Sequence, residues 1–140
     1  SFELKKENYP NITSVPFTKL ISESDIISLH CKSPLDGKPI ITTSQLKLMK
    51  KNTVLINTAR GELINESDLK KALEENIIKG AAIDVFSKEP AKDNILFGTK
   101  NLILTPHIAA STVEAQIIVA EQIAIQISNY LNQGEVINSC

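Results

Sequence analysis

The stretch "TVLINTARGELINESDLKKALEENIIKGAAIDVF", residues 53–86, decides the fold. It reads as strand, helix, strand. "TVLIN" (53–57) is a short apolar run. "NESDLKKALEENIIKG" (65–80) has the period of a helix. Asn65 can cap its start, Glu66 and Asp68 favour the positive end of its dipole, and Leu69, Ala72 and Leu73 form an apolar stripe. Gly80 is placed to end it. "AAIDVF" (81–86) is a second apolar strand with small residues. Nearly continuous apolar strands joined through a helix predict a parallel sheet covered on both faces.

The pattern extends in both directions. "DIISLH" (25–30) is a strand, and "TTSQLKLMKKN" (42–52) is a short helix led by threonine caps. "NLILTP" (101–106) is a further strand. Residues 111–133 form a long helix that stops before Gly134. Its isoleucines and alanines cover more than one stripe, so a sheet and a second domain or subunit are expected to cover it. Near the start, "NITSVPF" (11–17) reads as a short strand and "FTKLISES" (17–24) as a short helix. Repeats, low-complexity tracts and linkers are absent.

The 140 residues suit one domain, and 42% hydrophobic with 22% charged is ordinary globular composition. With a net charge of −1 and lysines interspersed with acids, no basic stripe points to nucleic acid. No apolar run approaches the roughly 20 residues of a membrane span. No charged-then-apolar leader is visible, and Cys31 and Cys140 lack metal spacing. Cys31 follows an apolar run and is expected to be a buried thiol. A reduced, cytoplasmic setting is the expectation.

Unusual polar residues stand where the strands end, the side on which open parallel sheets bind ligands. His30 and Cys31 close one strand. Asn57, Thr58, Ala59, Arg60 and Gly61 follow the next, and Arg60 is the only arginine in the chain. Asp84 lies late in the third strand, and Glu89 follows in "SKEP". His107 follows the fourth, in "LTPHIAAST". Reduction of a 2-oxo acid needs a cation for the carboxylate and carbonyl, and a proton donor for the new hydroxyl. Arginine can hold a carboxylate with two parallel hydrogen bonds, which lysine cannot. Histidine can donate or accept the proton, and a nearby carboxylate favours and orients the imidazolium. Plainer readings stand beside these. Arg60 could serve a structural ion pair, His107 could be a cap, Glu89 a turn residue, and His30 structural or merely close to a cofactor. Asp84, inside an apolar strand, needs partners in either case.

Three segments in order, "SDIISLHCKSPL", "LMKKNTVLINTARGELINESDLKKALEENIIKGAAIDVFSKEP" and "NLILTPHIAAST", resemble the NAD-dependent D-isomer-specific 2-hydroxyacid dehydrogenases. The resemblance runs from about Ser24 to the C-terminus. It implies that Arg60 binds the substrate carboxylate and carbonyl, that His107 is the acid/base, and that Glu89 pairs with His107. It implies that Asp84 contacts the nicotinamide carboxamide. Thr58, Ala59 and the run His107, Ile108, Ala109 and Ala110 would line the cofactor, with His30 nearby. The cofactor implied is NAD, with NADP left open.

The sequence also departs from the family. Its five glycines, at 37, 61, 80, 98 and 134, form no G-x-G-x-x-G. Lys32 stands where many members have proline, although Pro34 follows. The expected fold is therefore α/β, a partial Rossmann-like doubly wound parallel sheet without its first βαβ unit. Residues 1–133, including the helix 111–133, would be the C-terminal portion of the cofactor domain. Residues 134–140 would be a tail returning to a substrate domain. The expected activity is hydride transfer between NAD(H) and a D-2-hydroxy acid or its 2-oxo acid, with 3-phosphoglycerate ahead of hydroxypyruvate and glyoxylate. The isolated 140-residue piece would be inactive. A homodimer is expected, without nucleic-acid, membrane or metal partners. The rival is a non-enzymatic NAD-sensing or dimerisation module of corepressor type.

Overall fold

A computed structural model describes residues 11–137. The chain divides into two compact units, residues 1–106 and 107–140. In the first, α1 (Phe17–Glu23) precedes β1 (Ile26–Leu29). Then come α2 (Thr43–Leu46), β2 (Val54–Asn57), a 3-10 turn (Gly61–Leu63), α3 (Glu66–Glu74), β3 (Gly80–Ile83) and β4 (Leu102–Leu104). The second unit holds α4 (Val113–Gln133). Residues 11–16, expected to be a strand, form none.

The four strands are parallel, in the order β1-β2-β3-β4. Register places Ile27 beside Leu55, and Leu55 beside Ala81. Leu29, Asn57 and Ile83 form the next row on the same face. All six are buried, in a core completed by Leu46, Leu69, Ala72 and Leu73 from α2 and α3. The opposite face differs from the sequence expectation. Ile26 is 66% and Ile103 67% exposed, and Val54, Ile56 and Ala82 are only half-buried. The strand order explains this. Parallel crossovers are right-handed, and every connection here advances across the sheet in one direction. The connections therefore fall on one face. Covering the other requires strands wound the opposite way from a switch point.

The helix α3 starts as expected: Asn65 Oδ1 accepts from Asp68 N–H at 3.1 Å. Its end comes earlier than Gly80. Asn76 adopts φ 54°, its N–H donates to Leu73 O at 3.1 Å, and Ile77 N–H donates to Ala72 O at 2.8 Å. This pairing closes the helix with asparagine in the left-handed position that glycine usually takes. Gly80 instead opens β3, where a Cβ would lie 2.9 Å from the O of Asn101, the residue before β4. The expected helix 42–52 is also shorter. After Leu46 the bonds tighten to i→i+3, with Leu48 N–H to Gln45 O at 3.0 Å and Met49 N–H to Leu46 O at 3.2 Å.

Cys31 is exposed, against the expectation of a buried thiol. Inward positions alternate along β1 at Ile27 and Leu29, and Cys31 lies beyond the strand's last residue. Cys140 lies outside the described residues. In the second unit, Thr112 Oγ1 accepts from Ala115 N–H at 3.1 Å and caps α4. None of the 21 residues of α4 is buried. No described helix is long and apolar enough to cross a membrane.

Substitution Leu55→Ala should lower unfolding free energy by about 2–5 kcal/mol, because Leu55 fills the core completely. Ile26→Ala, on the open face, should stay within about 0.5 kcal/mol. Urea unfolding of the chain checks both, and equal losses would contradict the one-sided core.

Candidate active site

The site starts at the carboxyl end of β2. Asn57 is the last strand residue, 1% exposed, on the buried face of the sheet. A buried amide must satisfy both of its ends. Its Nδ2 donates to Arg60 O at 2.8 Å, and its Oδ1 accepts from Ala59 N–H at 3.1 Å. One side chain thus folds Thr58, Ala59 and Arg60 into a turn above the sheet. The guanidinium is exposed, and Nη1 donates to Ala59 O at 2.6 Å. Among the described residues Arg60 forms no salt bridge. The plain reading of this arginine as half of a structural ion pair finds no partner acid among the described residues.

The end of β3 lies alongside. Asp84 N–H donates to Asn57 O at 2.9 Å, which continues the ladder one step past the strands. The Asp84 carboxylate is 3% exposed and accepts a hydrogen bond from the Thr105 hydroxyl. Thr105 is in turn fixed by its own N–H, which donates to Ile83 O at 3.0 Å. A buried acid therefore bridges the ends of β3 and β4. The chain then turns, and Glu89 Oε1 accepts from Phe86 N–H at 2.9 Å.

Gly61 joins the two segments. A Cβ at this position would lie 2.0 Å from both the carbonyl carbon and oxygen of Phe86, and 2.5 Å from Ser87 N. The backbone after Arg60 thus touches the backbone that leads to Glu89, and only hydrogen fits between them. His30 stands at the same edge, just beyond Leu29, whose partner in register is Asn57. It is exposed, and its Nε2 lies 2.8 Å from Ser28 Oγ.

The first unit therefore brings Thr58, Ala59, Arg60, Asp84, Glu89 and His30 to one edge of the sheet or to the segments leaving it. His107, Ile108, Ala109 and Ala110 belong to the second unit. There, His107 has φ 55°. A histidine in the left-handed region carries a backbone cost of order 1–3 kcal/mol, and such residues cluster at functional sites. Ile108 O accepts from Ser111 N–H at 2.9 Å, and Ala110 O from the Gln116 side-chain amide at 3.2 Å. The sequence reading places Asn57 at the strand end but not as the former of the arginine turn, and it singles out neither Thr105 as the partner of Asp84 nor Glu66 as a contact of the Glu89 segment. A polar residue in the last, inward position of an apolar strand was the available signal for Asn57.

Comparison with known proteins agrees with this fold. Residues 2–109 match the profile of the D-isomer specific 2-hydroxyacid dehydrogenase, NAD binding domain. The chain belongs to this family. Among its 2-hydroxyacid dehydrogenase relatives, D-3-phosphoglycerate dehydrogenase of Methanocaldococcus jannaschii is 49% identical, over 75% of this chain and 21% of its own length. Glyoxylate reductase of Thermococcus litoralis is 46% identical, over 79% of this chain and 33% of its own length. A solved acyclic imino acid reductase, in complex with NADPH and D-Arg, superposes with a TM-score of 0.83 at 40% identity, over 96% of this chain and 43% of that one. This chain thus spans less than half the length of each of these dehydrogenase and reductase relatives. The scaffold is the NAD-binding, Rossmann-like one that the segments resembled.

Replacing Gly61 by alanine forces a methyl group into backbone. Unfolding free energy should fall by about 1–3 kcal/mol. An unchanged urea midpoint would contradict the close approach of the two segments.

Proposed function

We propose that this chain carries the nicotinamide-facing and substrate-facing part of a site that transfers hydride between NAD(H) and a D-2-hydroxy acid or its 2-oxo acid. The observation that carries the reading is Arg60: an exposed guanidinium without a salt bridge among the described residues, on a turn built by Asn57, beside the buried carboxylate of Asp84.

The donor set fits the nicotinamide end of the cofactor. A carboxylate at the end of β3 can accept the carboxamide N–H, and the turn at Thr58 and Ala59 offers backbone groups next to it. The pyrophosphate end is different, because no glycine-rich turn stands among these 140 residues. The isolated chain is accordingly expected to hold NAD weakly and to be inactive alone. When bound, the cofactor supplies or accepts the hydride at the substrate C2.

The chain's own residues carry the remaining tasks. Arg60 binds the carboxylate with two parallel hydrogen bonds and draws charge toward the carbonyl oxygen. His107 delivers the proton to that oxygen and removes it in the reverse direction. Glu89 is the carboxylate that pairs with His107 and orients it in this reading. Ile108, Ala109 and Ala110 line the cofactor, with His30 close to it. These roles rest on the family resemblance, and the placement of Arg60, Asp84 and Glu89 on neighbouring segments supports them. For the substrate we put 3-phosphoglycerate first, with hydroxypyruvate or glyoxylate close behind; a D-3-phosphoglycerate dehydrogenase and a glyoxylate reductase among the relatives support that reading. The exposed apolar residues of α4 support a homodimer.

NADH oxidation by the complete protein, with a panel of 2-oxo acids, tests the reading. Turnover with a short 2-oxo acid is expected. Arg60→Lys should cut kcat/KM by roughly a hundredfold, about 2.7 kcal/mol. His107→Asn, which keeps a residue tolerant of the left-handed backbone, should abolish most of kcat. No turnover by the native protein would favour the binding-module reading, and near-normal Arg60→Lys kinetics would remove the arginine from the mechanism.

A further inference from the structure

Glu66 is the first residue of α3, and a first-turn acid is ordinarily explained by the helix dipole alone. Its contacts go further. Its Oε1 accepts from Ser87 N–H at 2.8 Å, and its Oε2 accepts from Asn94 Nδ2 at 2.9 Å. Ser87 and Asn94 stand on either side of Glu89. One carboxylate thus pins both ends of the segment that carries the acid. The Asn94 arm is itself fixed, because its Oδ1 accepts from Leu96 N–H at 2.9 Å. Both ends of the Asn94 amide are therefore used, one on Glu66 and one on the backbone.

The other side of the clasp is the Arg60 segment. Residues 60–66 run from the arginine through the 3-10 turn into α3. They meet residues 86–94 at two separate places. One is the backbone approach at Gly61, which fixes distance. The other is the pair of bonds from Glu66, which fixes the path of the chain around Glu89. Within the segment, Glu89 is held by Phe86 N–H at 2.9 Å, next to the first pinned residue.

We propose that Glu66 is a positioning residue for the dehydrogenase reaction: its carboxylate clasps the loop 87–94 and thereby sets the place of Glu89 relative to Arg60. The proposal rests on the reading of Glu89 as a participant in proton transfer. Glu66 touches neither substrate nor cofactor and acts through the loop alone. Glutamine at this position keeps one acceptor for Ser87 N–H but turns a donor toward the Asn94 amide. Alanine loses both bonds.

The test is a double-mutant cycle in the complete protein, assayed as reduction of the 2-oxo acid that turns over best. Glu66→Ala should lower kcat roughly tenfold to a hundredfold, because small displacements of a reacting group cost that much. KM for the 2-oxo acid should stay within about twofold, since Arg60 keeps its turn through Asn57. Glu66→Gln should recover part of the rate. In the Glu89→Gln background, Glu66→Ala should add almost nothing, because the loop then holds no acid to misplace. If both losses are real and multiply in the double variant, Glu66 is only structural and the proposal is overturned. If Glu89→Gln alone leaves the rate unchanged, the reading of Glu89 fails first and takes the proposal with it. Should Glu66→Ala not fold, Glu66→Gln and Asn94→Ala carry the same cycle, each removing one arm of the clasp.

Discussion

Two stretches of backbone touch where Gly61 meets Phe86 and Ser87, and no side chain fits between them. The rest of the edge depends on that contact. It places the residue after the only arginine against the segment that leads from the buried Asp84 to Glu89. Hydrogen bonds then specify the shape on each side. Asn57 folds the arginine turn from below, Thr105 secures Asp84 from β4, and Glu66 gathers the loop beyond. Each of these partners is polar and tied into the sheet or a helix end. The exposed cation is therefore presented by a framework that has few ways to relax.

Much of this was readable from the sequence, and the reasons are local. Apolar runs marked all four strands, and Asn65 caps α3 where its side chain suggested. The edge on which Arg60, Asp84 and Glu89 gather followed from the rule for parallel sheets. Two of the misses were settled by a contact distant in sequence. Gly80 looked like a helix stop, yet the approach of Asn101, just before the neighbouring strand, is what requires a glycine there. Cys31 looked buried because an apolar run precedes it, but the run ends at Leu29. Glu66 looked like a dipole residue, and its bonds to Ser87 and Asn94, twenty-one and twenty-eight residues away, leave no periodic trace.

The one-sided core carries a functional meaning. Connections that all advance in one direction bury one face of the sheet and leave Ile26 and Ile103 on the other. Ligand-binding crevices of open parallel sheets form where the winding reverses, and no reversal occurs among these four strands. The edge described here can thus supply a cation, two acids and backbone groups, while the phosphate-binding turn has no counterpart in the 140 residues. That division matches the lengths of the relatives, of which this chain covers a fifth to a third.

The most direct measurement is a crystal structure of the complete protein with NAD and an unreactive 2-oxo acid analogue. The account predicts the analogue's carboxylate on the Arg60 guanidinium through two parallel hydrogen bonds, with the nicotinamide carboxamide against Asp84. An analogue bound elsewhere, with Arg60 left pointing into solvent, would contradict it.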